Sequence, residues 1–146
     1  MDGYRRPALD IREFRGADGE VIPYGHRWPG HPADETYSVT AHPERFAPLL
    51  EVARSLARAL PPANRPGGDG ILIDIVETPF PGVIVNIGDL EFPFPHCGCD
   101  ACDEGVEEVA SRMEELVDAV VDNRFEVTAT GHYYWGEWGS YRAGSA

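Results

Sequence analysis

Ile71-Leu72-Ile73-Asp74-Ile75-Val76-Glu77-Thr78-Pro79-Phe80-Pro81-Gly82-Val83-Ile84-Val85-Asn86-Ile87-Gly88-Asp89 is the stretch on which the fold turns. Two β-branched runs, Ile71 to Glu77 and Val83 to Asp89, flank Thr78 to Gly82, a connection of hairpin length. β-Branched side chains fit a pleated surface, so these runs predict two strands paired antiparallel.

On either side lie segments with a different period. From Pro43 to Leu60, Phe46, Leu49, Leu50, Ala53, Leu56, Ala57 and Leu60 recur at three- and four-residue steps, which predicts a helix with one buried stripe. Pro48 lacks an amide hydrogen, so the main helix should begin there, after a preliminary turn opened by Pro43. Pro61 to Gly70, with three prolines and three glycines, ends that pattern. A second stripe, Val106, Val109, Ala110, Met113, Leu116, Val117 and Val120, predicts a helix over Asp103 to Asp122. Its acids crowd the other face, with Glu107, Glu108, Glu114, Glu115 and Asp118 expected in water. Asp103, Glu104, Glu107 and Glu108 fall in the expected first turns, where the helix dipole favours negative charge.

Thr36 to Thr40 alternates polar and apolar and reads as a short strand, and Phe125, Val127 and Ala129 read as another. The resulting order is strand, helix, strand, strand, helix, strand. It predicts an α+β domain with two helices on one face of a mainly antiparallel sheet, as in ferredoxin-like sandwiches. Residues 1–35, rich in glycine, proline and aromatics, form an irregular arm with one hairpin turning at Asp18-Gly19. Residues 36–146 form the α+β core of a single domain spanning 1–146, a common domain size.

The charge balance is 12 basic against 25 acidic residues. Such an excess repels phosphate backbones and anionic lipid, which argues against nucleic acid or membrane partners and suits a basic protein surface. Every basic residue is arginine, since the chain contains no lysine, and it contains no glutamine. Chemistry that needs a lysine amine is therefore excluded. The apolar stretches around Ile71 to Val76 and Val83 to Ile87 are too short to span a bilayer, and the first residues lack the apolar core of a signal peptide.

All three cysteines fall in Phe92-Pro93-Phe94-Pro95-His96-Cys97-Gly98-Cys99-Asp100-Ala101-Cys102. An odd number of cysteines in one short segment is unlike a secreted disulfide framework and points to the reducing cytoplasm. Thiolates are soft donors that suit zinc, and Gly98 allows a turn that brings sulfurs together. A tetrahedral zinc site needs a fourth ligand, for which His96 is nearest in sequence; because adjacent His96 and Cys97 cannot easily face the same ion, His132 is the better candidate if its strand lies alongside. Two other readings stand beside it. Cys102, at the mouth of the second helix, has the setting of an activated thiol with Cys99 as resolving partner; alternatively, all three are ordinary reduced thiols.

Trp28, next to Arg27, either stacks with it or covers the edge of the core. Tyr133, Tyr134, Trp135 and Trp138 form either a recognition surface or an apolar end strand closing the sheet. No nucleophile elbow, phosphate-binding glycine loop or His-Glu-x-x-His motif occurs.

Gly19-Glu20-Val21-Ile22-Pro23-Tyr24-Gly25-His26-Arg27-Trp28, Tyr37-Ser38-Val39, His42-Pro43-Glu44-Arg45-Phe46-Ala47-Pro48-Leu49 and Pro95-His96-Cys97-Gly98-Cys99-Asp100-Ala101-Cys102 together resemble an uncharacterised actinobacterial family, a domain of unknown function. That resemblance implies a bacterial, cytoplasmic protein and brings no activity with it. The first functional expectation is a non-enzymatic domain with a zinc-held cysteine loop that binds another macromolecule, such as a protein partner, through its acidic or aromatic surface. Its alternatives are a thiol- or metal-dependent enzyme using Cys97, Cys99 and Cys102, and a small immunity- or antitoxin-like protein suggested by size and acidity.

Overall fold

Why the sheet is antiparallel follows from the register of its first hairpin. In the computed structural model, which describes residues 1–128, 131–136 and 139–144 and only the backbone from 133 onward, β1 is Ile73–Thr78 and β2 is Gly82–Ile87. Ile73 pairs with Ile87, Ile75 with Val85 and Thr78 with Gly82. This register places Ile73, Ile75, Val83, Val85 and Ile87 on one face, and of these Ile73, Val83, Val85 and Ile87 are buried. Ile71 and Leu72, each 42% exposed, stay outside the strand.

The chain then turns through Gly88, whose φ of +57° suits a residue without a Cβ, into a third strand, β3, Leu90–Phe94. Leu90, Phe92 and Phe94 oppose Ile87, Val85 and Val83 and extend the apolar face. Pro93 cannot donate to a ladder, and it is tolerated because β3 lies at the edge of the sheet.

The first helix, α1, is Pro48–Ala59, preceded by a 3-10 turn at Pro43–Phe46, as the two prolines predict. The second, α2, is Val106–Val121 and buries Val109, Ala110, Met113, Leu116, Val117, Ala119 and Val120. Both helices contribute to one hydrophobic core with β2 and Phe125. Arg54 of α1 forms a salt bridge with Glu77 of β1 at the exposed rim of that contact. The α+β class and the packing of helices on antiparallel sheet therefore agree with the sequence reading.

Strand order differs from the ferredoxin-like arrangement. The segment expected as the first strand, Thr36 to Thr40, contains the end of a 3-10 turn at Asp34–Ser38. Its carbonyls are used elsewhere: Thr36 and Val39 accept hydrogen bonds from the amides of Ala101 and Asp100. Tyr37 and Val39 are correspondingly exposed. At the other end, β4 (Phe125–Thr128), β5 (Gly131–Gly136) and β6 (Gly139–Gly144) form a second antiparallel meander. Among the described residues the fold is thus two three-stranded meanders joined by α2, with α1 preceding both.

The arm carries the expected turn, an Arg15–Val21 bridge flanked by the hydrogen bond from the Ile22 amide to the Phe14 carbonyl. It also covers part of α2, against expectation. Tyr4 donates to the Glu114 carboxylate at 2.6 Å and Arg6 at 2.8 Å, so the Glu114 side chain is only 14% exposed rather than solvated. Among the described residues, no helix is long and apolar enough to cross a membrane.

Candidate metal centre

The buried Pro95 ends β3, and the chain from Cys97 to Gly105 crosses to the start of α2 as a loop. Gly98 lies against the Phe80 ring, where a Cβ would come within 2.2 Å of Phe80 Cζ. The absence of a side chain there lets the backbone pass close under the ring with Cys97 and Cys99 on either side. Cys97 Sγ is 3.3 Å from Cys99 Sγ, and Cys99 Sγ is 3.4 Å from Cys102 Sγ. All three sulfurs lie within 4.8 Å of one another, and none forms a disulfide.

The thiols differ electrostatically. Burial pushes Cys99 upward, but the Cys102 amide, the neighbouring thiols and the Ala101 amide outweigh it, so its pKa lies below the ordinary value. Cys102 is pushed up to about 12, chiefly by its contacts with Cys97 and Cys99. Three sulfurs this close share little negative charge among themselves. A divalent cation between them would supply the missing positive charge and displace protons.

The loop's acids do not join the sulfurs; Asp100 and Asp103 hold the arm, and Glu104 ties the loop to itself and to α2. Asp103, in a left-handed conformation at φ +49°, accepts the Gly25 amide at 3.0 Å and the Arg27 amide at 2.7 Å. Asp100, 5% exposed, accepts the Ala41 amide at 3.1 Å and lies 3.4 Å from Arg27 Nη1. Glu104 accepts the Cys97 amide at 2.8 Å and pairs with Arg112. α2 begins only at Val106, so Asp103 and Glu104 act ahead of the helix and not in its first turn. Nothing in their spacing signals this role.

The histidine candidates lie apart from the sulfur group. His96 is exposed and adjoins Cys97 in sequence, but its ring is not within ligand spacing of the sulfurs. His132 stacks on Phe125 at 5.8 Å between ring centroids and meets Phe92 edge-on at 4.7 Å. Among the described residues, only Cys97, Cys99 and Cys102 form a group with metal-ligand spacing.

Trp28 donates its indole N–H to the Asp100 carbonyl at 2.9 Å and carries Arg27 over its ring at 4.7 Å. It stacks with Arg27 and anchors the arm to the cysteine loop. Tyr133, Tyr134 and Trp135 lie on β5, paired with β6 through Tyr133–Arg142, Tyr134–Tyr141 and Trp135–Ser140. Trp138 lies outside the described residues.

The chain belongs to a family of unknown function (DUF6226), which matches it over residues 10–66 and 62–145. The second of these stretches contains the cysteine loop and α2. No curated protein and no solved structure matches the chain.

Proposed function

We propose that the chain is a single, non-catalytic binding domain whose cysteine loop holds one zinc ion and which engages another protein. One observation carries this reading: the three sulfurs converge within 4.8 Å on a loop whose other side chains fasten the N-terminal arm. Soft thiolate donors favour zinc, and a structural zinc completes its tetrahedron with a fourth ligand. His132, the better candidate by sequence, has its ring engaged with Phe92 and Phe125, which leaves His96, the neighbour of Cys97 in sequence, as the fourth ligand. A reducing, intracellular compartment would keep the thiols available. The formal net charge of −13 favours a basic protein surface over nucleic acid or anionic lipid.

A second reading has one specific observation in its favour. The roles are the reverse of those expected: Cys102, four residues ahead of α2 and pushed up to about 12, is not the activated thiol, whereas Cys99, its pKa lowered, sits 3.4 Å from Cys102 Sγ, as an attacking thiol sits beside a resolving one. Elemental analysis of protein purified without chelator separates the two. Near-stoichiometric zinc that is lost on Cys99→Ser supports the metal site. Metal-free protein that forms a Cys99–Cys102 disulfide under mild oxidant, with unchanged stability, supports thiol chemistry instead.

A further inference from the structure

The two faces of the β1–β2–β3 meander carry different side chains. One packs Ile73, Val83, Val85 and Ile87 into the core. On the other, the register aligns Val76 of β1 with Ile84 of β2, and Ile84 with Pro93 of β3, so three apolar side chains form one row across the sheet. Val76 is 41% exposed, Pro93 is exposed and Ile84 is half-buried. Single apolar side chains scattered over a surface are ordinary, whereas neighbouring ones in register supply the apolar centre that an interface needs.

The row runs into a socket. Ile84 and Pro93 also line a cavity of about 220 Å³ at the end of the sheet, walled further by Phe80, Phe94, Pro95 and Gly98. Phe80 is 39% exposed, and Gly98 lies between Cys97 and Cys99, so the socket borders the cysteine loop. Its volume falls below that of small-molecule pockets, about 300–1,000 Å³, and suits one inserted side chain.

The next row sets the charge of the occupant. Asp74 pairs with Asn86 and Asn86 with Glu91, two residues along each strand from the apolar row. Both carboxylates are exposed, β1, β2 and β3 contain no basic residue, and among the described residues no salt bridge takes either acid. A second copy of the chain would bring two such rows and two net charges of −13 together. A basic segment would be attracted by both. Side chains on one side of an extended chain recur every second residue, about 6.8 Å apart, which is also the spacing of the two rows.

Resting on the reading that the domain engages a basic protein surface, we propose that this face docks an extended, basic segment of the partner. One apolar side chain of that segment enters the socket between Phe80 and Pro93, and an arginine or lysine two positions on meets Asp74 or Glu91.

The test uses the full chain at about 0.15 M salt, where long-range attraction is screened, and blocked hexapeptides followed through backbone amide shifts in NMR titrations. Acetyl-Thr-Leu-Thr-Arg-Thr-Arg-amide should shift Val76, Ile84, Asn86 and Glu91 saturably. Replacing its leucine by serine, or both arginines by glutamate, should weaken binding about tenfold or more. Val76→Thr/Ile84→Thr, which keeps β-branched residues in both strands, should weaken it by a similar factor, and Asp74→Asn/Glu91→Gln about threefold to tenfold. Saturable shifts confined to another face, such as that of Glu107 and Glu108, would overturn this docking site and leave the basic-partner reading standing. Equal binding of the arginine and glutamate peptides would overturn both. No saturable shift at about 5 mM peptide would overturn the site. So would concentration-dependent shifts at Val76 and Ile84 without peptide, which would make a second copy the occupant.

Discussion

Asp103 and Arg27, 76 positions apart in sequence, are joined by a 2.7 Å hydrogen bond from the Arg27 amide to the Asp103 carboxylate. The same carboxylate takes the Gly25 amide, so one side chain replaces the pairing that a strand would have given this part of the arm. Because Asp103 directly follows Cys102, whatever fixes the sulfurs also fixes the arm's attachment.

Asp103→Ala should therefore destabilise the protein by about 1–3 kcal/mol, the range for leaving buried donors unpaired. It also puts a side chain with no local hydrogen bond at φ +49°, a region that Asp and Asn tolerate better than Ala. Asp103→Asn, which keeps one acceptor oxygen and suits that conformation, should cost less. Denaturant melts of the two variants check the ranking, and equal losses would remove the arm-clamp role.

If zinc occupies the sulfur group, a chelator should lower the melting temperature and expose three reactive thiols, because binding energy at such a site is folding energy. The arm should loosen with it, read as faster amide exchange at Gly25 and Arg27. Cys102 is pushed up to about 12, so without metal it carries its proton near neutrality and must lose it on binding. Affinity should consequently rise with pH, by about tenfold per unit for each proton displaced, and fall on acidification. Metal titrations at three pH values measure the slope; a flat profile excludes thiolate coordination.

Leu116 is fully buried in α2, and Leu116→Ala should cost about 2–5 kcal/mol through lost transfer energy and the cavity left behind. Glu115→Ala should be nearly silent. Glu114→Ala should fall between them, near 1–3 kcal/mol, because the Tyr4 hydroxyl and the Arg6 guanidinium lose their shared acceptor. If Glu114→Ala matches Glu115→Ala in denaturant melts, residues 4–6 do not lie on the helix in solution.

His132 contributes a pH dependence of known sign. Burial among Phe92 and Phe125 lowers its pKa below the ordinary imidazole value, so the folded chain binds this proton less readily than the unfolded chain. Its contribution to stability is present above the unfolded value, about 6.5, and is lost as pH falls through the folded value. Melts from pH 8 to 5 should show wild type losing stability over that window and His132→Phe losing less. Identical curves would place the imidazole in water.

Much of this protein was legible from short-range spacing alone. The stripes from Leu49 to Leu56 and from Val109 to Val120, the break between Pro43 and Pro48, and the alternation across Ile73–Thr78 and Gly82–Ile87 are properties of residues two to four positions apart. Backbone geometry converts such spacing directly into a buried face. The same local signal misled where it lacked a neighbour: Thr36 to Thr40 alternates, but among the described residues no strand pairs with it and the cysteine loop takes the Thr36 and Val39 carbonyls. Pro93 masks the alternation of β3, and the aromatic density of Tyr133 to Trp135 fits an end strand and a recognition surface equally, so the β5–β6 pairing has no signal of its own.

The cysteine cluster was visible as composition, because three sulfurs within six positions cannot be far apart. What only the tertiary structure decided was everything that spans a long loop: Asp100 and Asp103 gripping the arm, Glu114 taken by Tyr4 and Arg6, His132 enclosed by Phe92 and Phe125, and Arg45 buried beside a cavity. Hydrogen bonds and burial depend on which surfaces meet after the core has closed. No period along the chain carries that information, so a buried arginine and a solvated one look alike until their neighbours are in place.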